Sequence, residues 1–115
     1  MRKIEQRMVE AMTTGKTFSL HNTRVTALDY NAMSRVYLHD NLIAKLSWAK
    51  RGTLLKSRWE LIKTECTLAG WGTVTTRARL NAICQGLGHK SRFGQRKGQQ
   101  VFDNQVISDD DWVTL

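Results

Sequence analysis

The chain has 115 residues, 41% of them hydrophobic, and a formal charge of +8 from 18 basic and 10 acidic residues. This length predicts one domain, residues 1–115, with one modest core, and the hydrophobic content argues against global disorder. No apolar run approaches the roughly 20 residues of a membrane span, and the N-terminus has no apolar signal core, so we expect a cytoplasmic protein.

An amphipathic helix is predicted from Arg2 to Thr13. Ile4, Met8 and Met12 recur at intervals of four residues, which places them on one face of a helix. The residues between them are largely polar and suit a face that contacts water. Gly15 is predicted to end the helix, because glycine adopts the left-handed conformation of a helix C-terminus without strain.

Short strands are predicted next, at residues 17–20 and 24–28, and the clearest hairpin runs from Ser34 to Trp48. Asp40-Asn41 is the predicted two-residue turn of that hairpin, because Asp and Asn both tolerate positive φ. Apolar residues fall on both faces of this ribbon. One face can pack on the first helix, so the other must meet a second element or another subunit.

The second half of the chain alternates strands with one helix. The predicted elements are strands at residues 53–55 and 59–68, a turn at 69–73, a helix at about 76–86 capped by Thr76, and a hairpin of residues 90–93 and 99–102 closed by a loop from Gly94 to Gly98. Together these elements predict an α+β fold with a small, twisted, mostly antiparallel sheet, an N-terminal helix and a second helix near residues 76–86.

No enzymatic site is predicted. His21, His39 and His89 are not spaced as metal ligands, and Cys66 and Cys84 do not form a Cys-x-x-Cys motif. Neither a Gly-x-Ser-x-Gly motif nor a phosphate-binding glycine loop occurs. We therefore expect no catalytic activity, no metal and no cofactor. Both cysteines lie in apolar contexts and are predicted to be reduced core residues.

The most informative feature is the absence of Asp and Glu between Cys66 and Phe102. Basic side chains displace counterions from phosphates, and an aromatic face can stack on any base, so this stretch predicts binding of single-stranded nucleic acid. Arg77 and Arg79 would lie in the first turn of the second helix, where cations oppose the helix dipole unless a phosphate is bound. The candidate contacts in this stretch are Arg77, Arg79, Lys90, Arg92, Phe93, Arg96 and Lys97.

A second basic run precedes that stretch. It consists of Lys45, Lys50, Arg51, Lys56 and Arg58. Two interpretations remain open, a second nucleic-acid contact and a solvated turn. Trp48 and Tyr37 are candidates either for stacking on bases or for the core, whereas Trp59 and Trp71 are expected in the core.

The chain ends in an acidic tail, about residues 108–115, in which Asp109 to Asp111 precede Trp112 and a short apolar tip. One hypothesis is that this tail recruits a partner or competes with DNA for the basic groove. The other is that it forms a last short strand whose Trp112 packs on the body.

Three segments resemble a known family. Residues 69–83, Ala-Gly-Trp-Gly-Thr-Val-Thr-Thr-Arg-Ala-Arg-Leu-Asn-Ala-Ile, residues 36–44 and Asn22-Thr23 are similar to the Drc-like small early proteins of podophages that carry a virion RNA polymerase. That family binds single-stranded DNA and regulates transcription. The chain departs from the pattern at Asp40-Asn41, where the family usually has Gly-Asn, and in residues 45–58, which are longer and more basic.

The resemblance implies an early phage protein in the host cytoplasm. It would coat single-stranded DNA as a homo-oligomer without base specificity, act with the phage RNA polymerase, and support or regulate early or middle transcription. Two alternatives stay open. One is a small phage interaction protein that binds and redirects a host enzyme through its basic and apolar surfaces, and the other is a protein that binds structured RNA.

Overall fold

The computed structural model describes all residues from Met1 to Leu115 and confirms the α+β fold. The elements are α1 (Lys3–Thr14), β1 (Phe18–Leu20), β2 (Thr23–Val25), β3 (Met33–Leu38), β4 (Asn41–Gly52), β5 (Ser57–Thr67), α2 (Val74–Gly86), β6 (Phe93–Arg96), β7 (Gln99–Phe102), β8 (Gln105–Val106) and β9 (Trp112–Thr114). Six strands form an antiparallel sheet in the order β1-β2-β3-β4-β5-β9, and β6-β7-β8 form a second one. Neither helix is long and apolar enough to cross a membrane.

Helix α1 begins and ends where its sequence provides caps. The backbone N–H of Arg2 donates to Oε1 of Glu5 at 3.0 Å, and Gly15 ends the helix with a φ of 71°. Met8 and Met12 are fully buried. The prediction of this helix and of its apolar face is confirmed to within one residue at each end.

Helix α2 starts earlier than predicted. Thr73 is the N-cap, and its Oγ1 accepts a hydrogen bond from the backbone N–H of Thr76 at 3.1 Å, so the prediction that Thr76 is the cap is wrong. Thr76 is buried inside the first turn instead. Leu80 and Ile83 continue the same face and are fully buried in the core.

The turn between β3 and β4 is displaced by one residue from its predicted place. His39 and Asp40 form it, with φ values of 51° and 64°, while Asn41 already belongs to β4. Positive φ at both central residues gives the twist that a tight hairpin requires. A bulge in the pairing of β3 with β4 then allows the adjacent residues Ile43 and Ala44 both to be buried.

Strands β4 and β5 continue past the rest of the sheet as a two-stranded ribbon, residues 49–60, which we call the arm. Strand β3 pairs with β4 only as far as Ser47, and β9 pairs with β5 only from Glu65 onward, so both edges of the arm are unpaired. Every residue from 51 to 60 is exposed. Residues 53–55, predicted as a strand, form the turn at the tip instead.

The last hairpin has a shorter turn than predicted, and the tail adds a strand to the larger sheet. Lys97 and Gly98 form a two-residue turn between β6 and β7, with φ values of 51° and 78°, in place of the predicted five-residue loop. The tail forms β9, in which Trp112 pairs with Thr67 of β5. The predicted last short strand is therefore confirmed, while Trp112, expected to pack on the rest of the protein, is 40% exposed.

Cys66 and Cys84 are free and buried, as predicted. Burial raises the pKa of the Cys66 thiol, and the neighbouring Cys84 adds to the rise; burial also raises the pKa of Cys84. Both thiols are therefore protonated and shielded at pH 8. We expect no reaction with a chromogenic disulfide reagent in the native protein and two reacting thiols after unfolding. A fast-reacting thiol in the native state would contradict this placement.

Candidate nucleic-acid interface

Most of the positive charge has no internal partner. Five of the 18 Lys and Arg residues have a carboxylate oxygen within 4.0 Å, which leaves 13 without one. The five ion pairs are Arg79–Glu5, Arg35–Asp29, Arg51–Glu60, Lys63–Glu65 and Arg24–Asp40. The unpaired cations produce a positive potential that favours an anionic partner.

Arg79 lies inside the protein, so its predicted contact with nucleic acid is wrong. Its side chain is buried between the helices, where Nη1 donates to Oε2 of Glu5 at 3.1 Å and Nε donates to Oγ1 of Thr23 at 3.0 Å. Helix α2 begins at Val74, which places Arg79 in the second turn on the inward face. The guanidinium therefore joins α1, α2 and β2 and has no surface left for a phosphate.

Two further candidates are engaged within the fold. Arg77 is half-buried, and its Nη1 donates to the carbonyl oxygen of Gly72 at 2.7 Å and to Oε1 of Gln100 at 3.1 Å. Phe93 is buried, with its ring centroid 4.7 Å from that of Phe102. The prediction that Phe93 stacks on a base is therefore wrong, because its faces are covered by the core.

The remaining cations of the acid-free stretch do lie on the surface. Lys90, Arg92, Arg96 and Lys97 are all exposed. Nη1 of Arg92 donates to two carbonyl oxygens of its own loop, at 2.9 and 2.8 Å, and Nη2 of Arg96 donates to the carbonyl oxygen of Asn104 at 3.3 Å. A guanidinium has five N–H donors, so these bonds hold the groups in place and leave donors free for phosphate.

The arm carries the second set of candidates. Lys50, Arg51, Lys56 and Arg58 are exposed on it. Arg51 is paired across the ribbon with Arg58, a like-charge pair that destabilises a sheet, although Nε of Arg51 also contacts Glu60 at 3.2 Å. A bound anion would relieve that repulsion. Lys45 lies on the body, with its Nζ 4.2 Å from the ring centroid of Trp112, so its charge is already in contact with an aromatic face.

Two tryptophans are exposed, contrary to the prediction that they lie in the core. Trp59 is 45% exposed and Trp71 is 59% exposed. Trp59 belongs to the arm, where it pairs with Lys50, and no second layer covers it. Trp71 lies in the turn before α2. The sequence did contain a signal that Trp59 is exposed, because it lies between the charged residues Arg58 and Glu60 near the end of a strand.

The other two aromatic candidates are held by the fold. Trp48 is buried, and its Nε1 donates to Oγ of Ser34 at 3.0 Å, so it is a core residue. Tyr37 is half-buried, with the guanidinium carbon of Arg24 4.2 Å from its ring centroid. That cation covers the ring and competes with a base for it.

The base of the arm lies beside the start of the acid-free loop that precedes β6. Trp59 and Leu61 are two residues apart in β5, so they lie on the same face of the strand. Leu61 lines a shallow cleft of about 170 Å³ with Leu87 and His89, which brings this face of the arm to the loop before β6. We group Trp59 with exposed cations of these two regions as the basic track, defined as Lys50, Lys56, Trp59, Lys90, Arg92, Arg96 and Lys97.

The fold and the distribution of charge define a small basic α+β protein with a projecting two-stranded arm. The chain belongs to the family described as Kyanoviridae Gp96 protein, whose family model matches residues 1–114, and it is therefore a bacteriophage protein. The phage origin predicted from the sequence is confirmed. No curated protein matches the chain. No solved structure matches it either.

Proposed function

We propose that this phage protein binds single-stranded DNA with little base preference through the basic track. The observation that supports the proposal is the position of Trp59, which is exposed and lies opposite Lys50 on an arm whose other cations are also exposed. One nucleotide can then place its base on the indole and its phosphate near the ammonium group. Such contacts involve the face of the base and the phosphate, so they carry little sequence information.

An exposed aromatic ring favours a single strand over a duplex. Bases in a duplex are already stacked on their neighbours, so they offer no free face to Trp59 unless a base is flipped out. The cations alone would bind either form, because both carry phosphates. The preference for a single strand therefore depends on Trp59, and the affinity depends mainly on the cations.

The role in transcription is supported by the sequence resemblance to the Drc-like regulators. We include in the proposal that the protein supports or regulates early or middle phage transcription in the host cytoplasm, with the phage RNA polymerase as a second partner. The strands that carry residues 36–44 are largely engaged in the sheet. A polymerase would therefore meet the exposed arm or the exposed turns.

Fluorescence anisotropy of a labelled, mixed-sequence single strand tests the proposal. We expect tight binding at low salt. The logarithm of the association constant should fall linearly with the logarithm of salt concentration, with a slope of roughly −0.7 per phosphate contacted. Unlabelled single strand should displace the probe, whereas duplex of equal length should do so poorly. Binding that is indifferent to salt, or displaced equally by duplex and by heparin, would contradict the proposal.

In the rival function, the same cations bind an acidic surface of a host enzyme. Affinity capture from host lysate distinguishes this function from DNA binding. Capture is performed with and without nuclease. Proteins that are retained only without nuclease were held through nucleic acid and are consistent with the proposal. One host enzyme retained in stoichiometric amount after nuclease, together with no binding to the labelled strand, would replace it.

A further inference from the structure

We propose that this chain associates head to tail with second copies of itself, the tip of one arm seating in an apolar cleft at the opposite end of the next copy. The inference concerns the two leucines of the arm tip and a cleft, neither of which belongs to the basic track, although Lys56 of the track closes the tip turn. It does not depend on nucleic-acid binding.

The arm ends in an apolar tip. Leu54 and Leu55 are 104% and 96% exposed, the two most exposed leucines of the chain. Reciprocal backbone hydrogen bonds between Thr53 and Lys56, each 3.2 Å, close the turn and direct the intervening residues away from the ribbon. Two adjacent leucines at the end of a projecting arm expose apolar surface that an apolar cavity would stabilise.

A cleft that suits this tip lies between the turn preceding β4 and the loop preceding α2. It has a volume of about 420 Å³, within the range of sites that take small apolar groups. Leu38, Ile43 and Leu68, each nearly fully buried, line its floor, and the exposed Trp71 lies at its margin. The other lining residues are uncharged polar ones, namely His39, Asn41, Thr73, Thr75 and Thr76. No Lys, Arg, Asp or Glu lines it, so seating an apolar side chain there buries no charge.

The tip and the cleft of one chain cannot meet. Asn41, at the start of β4, lines the cleft, and the tip follows Gly52 at the end of the same strand. Eleven steps of about 3.3 Å along the extended strand separate the two by roughly 36 Å. A contact between tip and cleft therefore joins two copies, which makes it heterologous and repeatable into a ring or a filament.

The charges around the two surfaces are complementary. Asp40 lies in the turn beside the cleft, 3.8 Å from Arg24, and its side chain is 93% exposed. On the other side, the backbone N–H of Gly70 donates to the carbonyl oxygen of Asp109 at 2.9 Å, and Asp110 approaches Gly70, so the acidic segment lies next to the Trp71 loop. Acidic groups therefore flank the cleft. The cations that flank the tip are Lys50, Arg51, Lys56 and Arg58.

Sedimentation equilibrium on nucleic-acid-free protein, up to about 1 mM and at low and moderate salt, tests the contact. We expect the mean mass of the wild type to rise with concentration beyond that of a dimer, and to fall at higher salt. Leu54→Ser/Leu55→Ser removes the tip, and Thr75→Arg places a bulky cation in the cleft. Each variant should be monomeric at every concentration at which the wild type associates, with an unchanged circular dichroism spectrum.

Mixing the two variants distinguishes the head-to-tail contact from a symmetric contact, in which both copies use the same surface. The tip variant retains its cleft and the cleft variant retains its tip, so an equimolar mixture should form a dimer and nothing larger. Tyr30→Ser/Val106→Ser removes exposed apolar side chains outside both surfaces and should associate like the wild type. A monomeric wild type, a cleft variant that associates normally, or a mixture that stays monomeric would overturn the proposal.

Discussion

Replacement of Arg79 by alanine is expected to lower the free energy of unfolding by about 3–5 kcal/mol, because it leaves a carboxylate buried without its partner. Glu5 is 6% exposed, and its Oε2 accepts from Nη1 of Arg79. The hydroxyl of Thr23 also loses the donor at Nε. Urea denaturation followed by circular dichroism measures the loss, which is a large fraction of the stability of a typical small domain.

Arg77→Ala is the matched control, two residues away on the same helix. Arg77 is half-buried and donates to a carbonyl and to an amide oxygen, so its loss is expected to cost about 1–2 kcal/mol. The double substitution Glu5→Leu/Arg79→Met, which removes both buried charges, should be more stable than Arg79→Ala. Equal unfolding midpoints for Arg79→Ala and Arg77→Ala would contradict the role assigned to the buried pair.

Removal of the four exposed cations of the acid-free stretch should weaken binding to single-stranded DNA by about tenfold or more and make the salt slope shallower by roughly 3. The variant combines Lys90→Gln, Arg92→Gln, Arg96→Gln and Lys97→Asn. Asparagine is chosen at the last position because the native φ there is 51°, a conformation that asparagine tolerates. Anisotropy titrations at several salt concentrations give both the affinity and the slope.

A second variant with the same change in net charge shows whether position matters. It combines Arg2→Gln, Lys3→Gln, Arg7→Gln and Lys16→Gln, four exposed cations without a carboxylate partner in and near α1. We expect a smaller loss of affinity and a smaller change in slope, because these residues lie outside the basic track. Equal losses in both variants would mean that net charge, and not the track, governs binding.

Local patterns predicted the helices and most strands, because caps and alternation are properties of neighbouring residues. The turn before β4 was predicted one residue too late. Both His39-Asp40 and Asp40-Asn41 can adopt positive φ at two successive positions, so residue type alone did not decide between them. Residues 53–55 were predicted as a strand because an apolar pair is typical of a buried strand. Their place at an exposed tip depends on how far the arm projects beyond the other strands, which no local pattern contains.

The sequence predicted which types of residue form the candidate site, but only partly which of those residues are exposed. The absence of acid in the stretch indicated the exposed cations of the β6–β7 hairpin. It did not distinguish Arg79 from Arg77, because the burial of Arg79 depends on a carboxylate 74 residues away in the sequence. Trp59 and Trp71 were assigned to the core from residue type, whereas the arm and the turn before α2 leave them exposed.

The long sequence separation between Glu5 and Arg79 also orders events during synthesis of the chain. At about 5–20 residues per second, the ribosome adds the 74 residues from Gln6 to Arg79 in roughly 4–15 s. Strands β1 to β5 pair with sequence neighbours and can form hairpins as they emerge. Helix α1 can complete its packing only later, because Glu5 on its inward face pairs with Arg79, which is synthesised as part of α2. The first helix to be translated is thus expected to be among the last elements to dock.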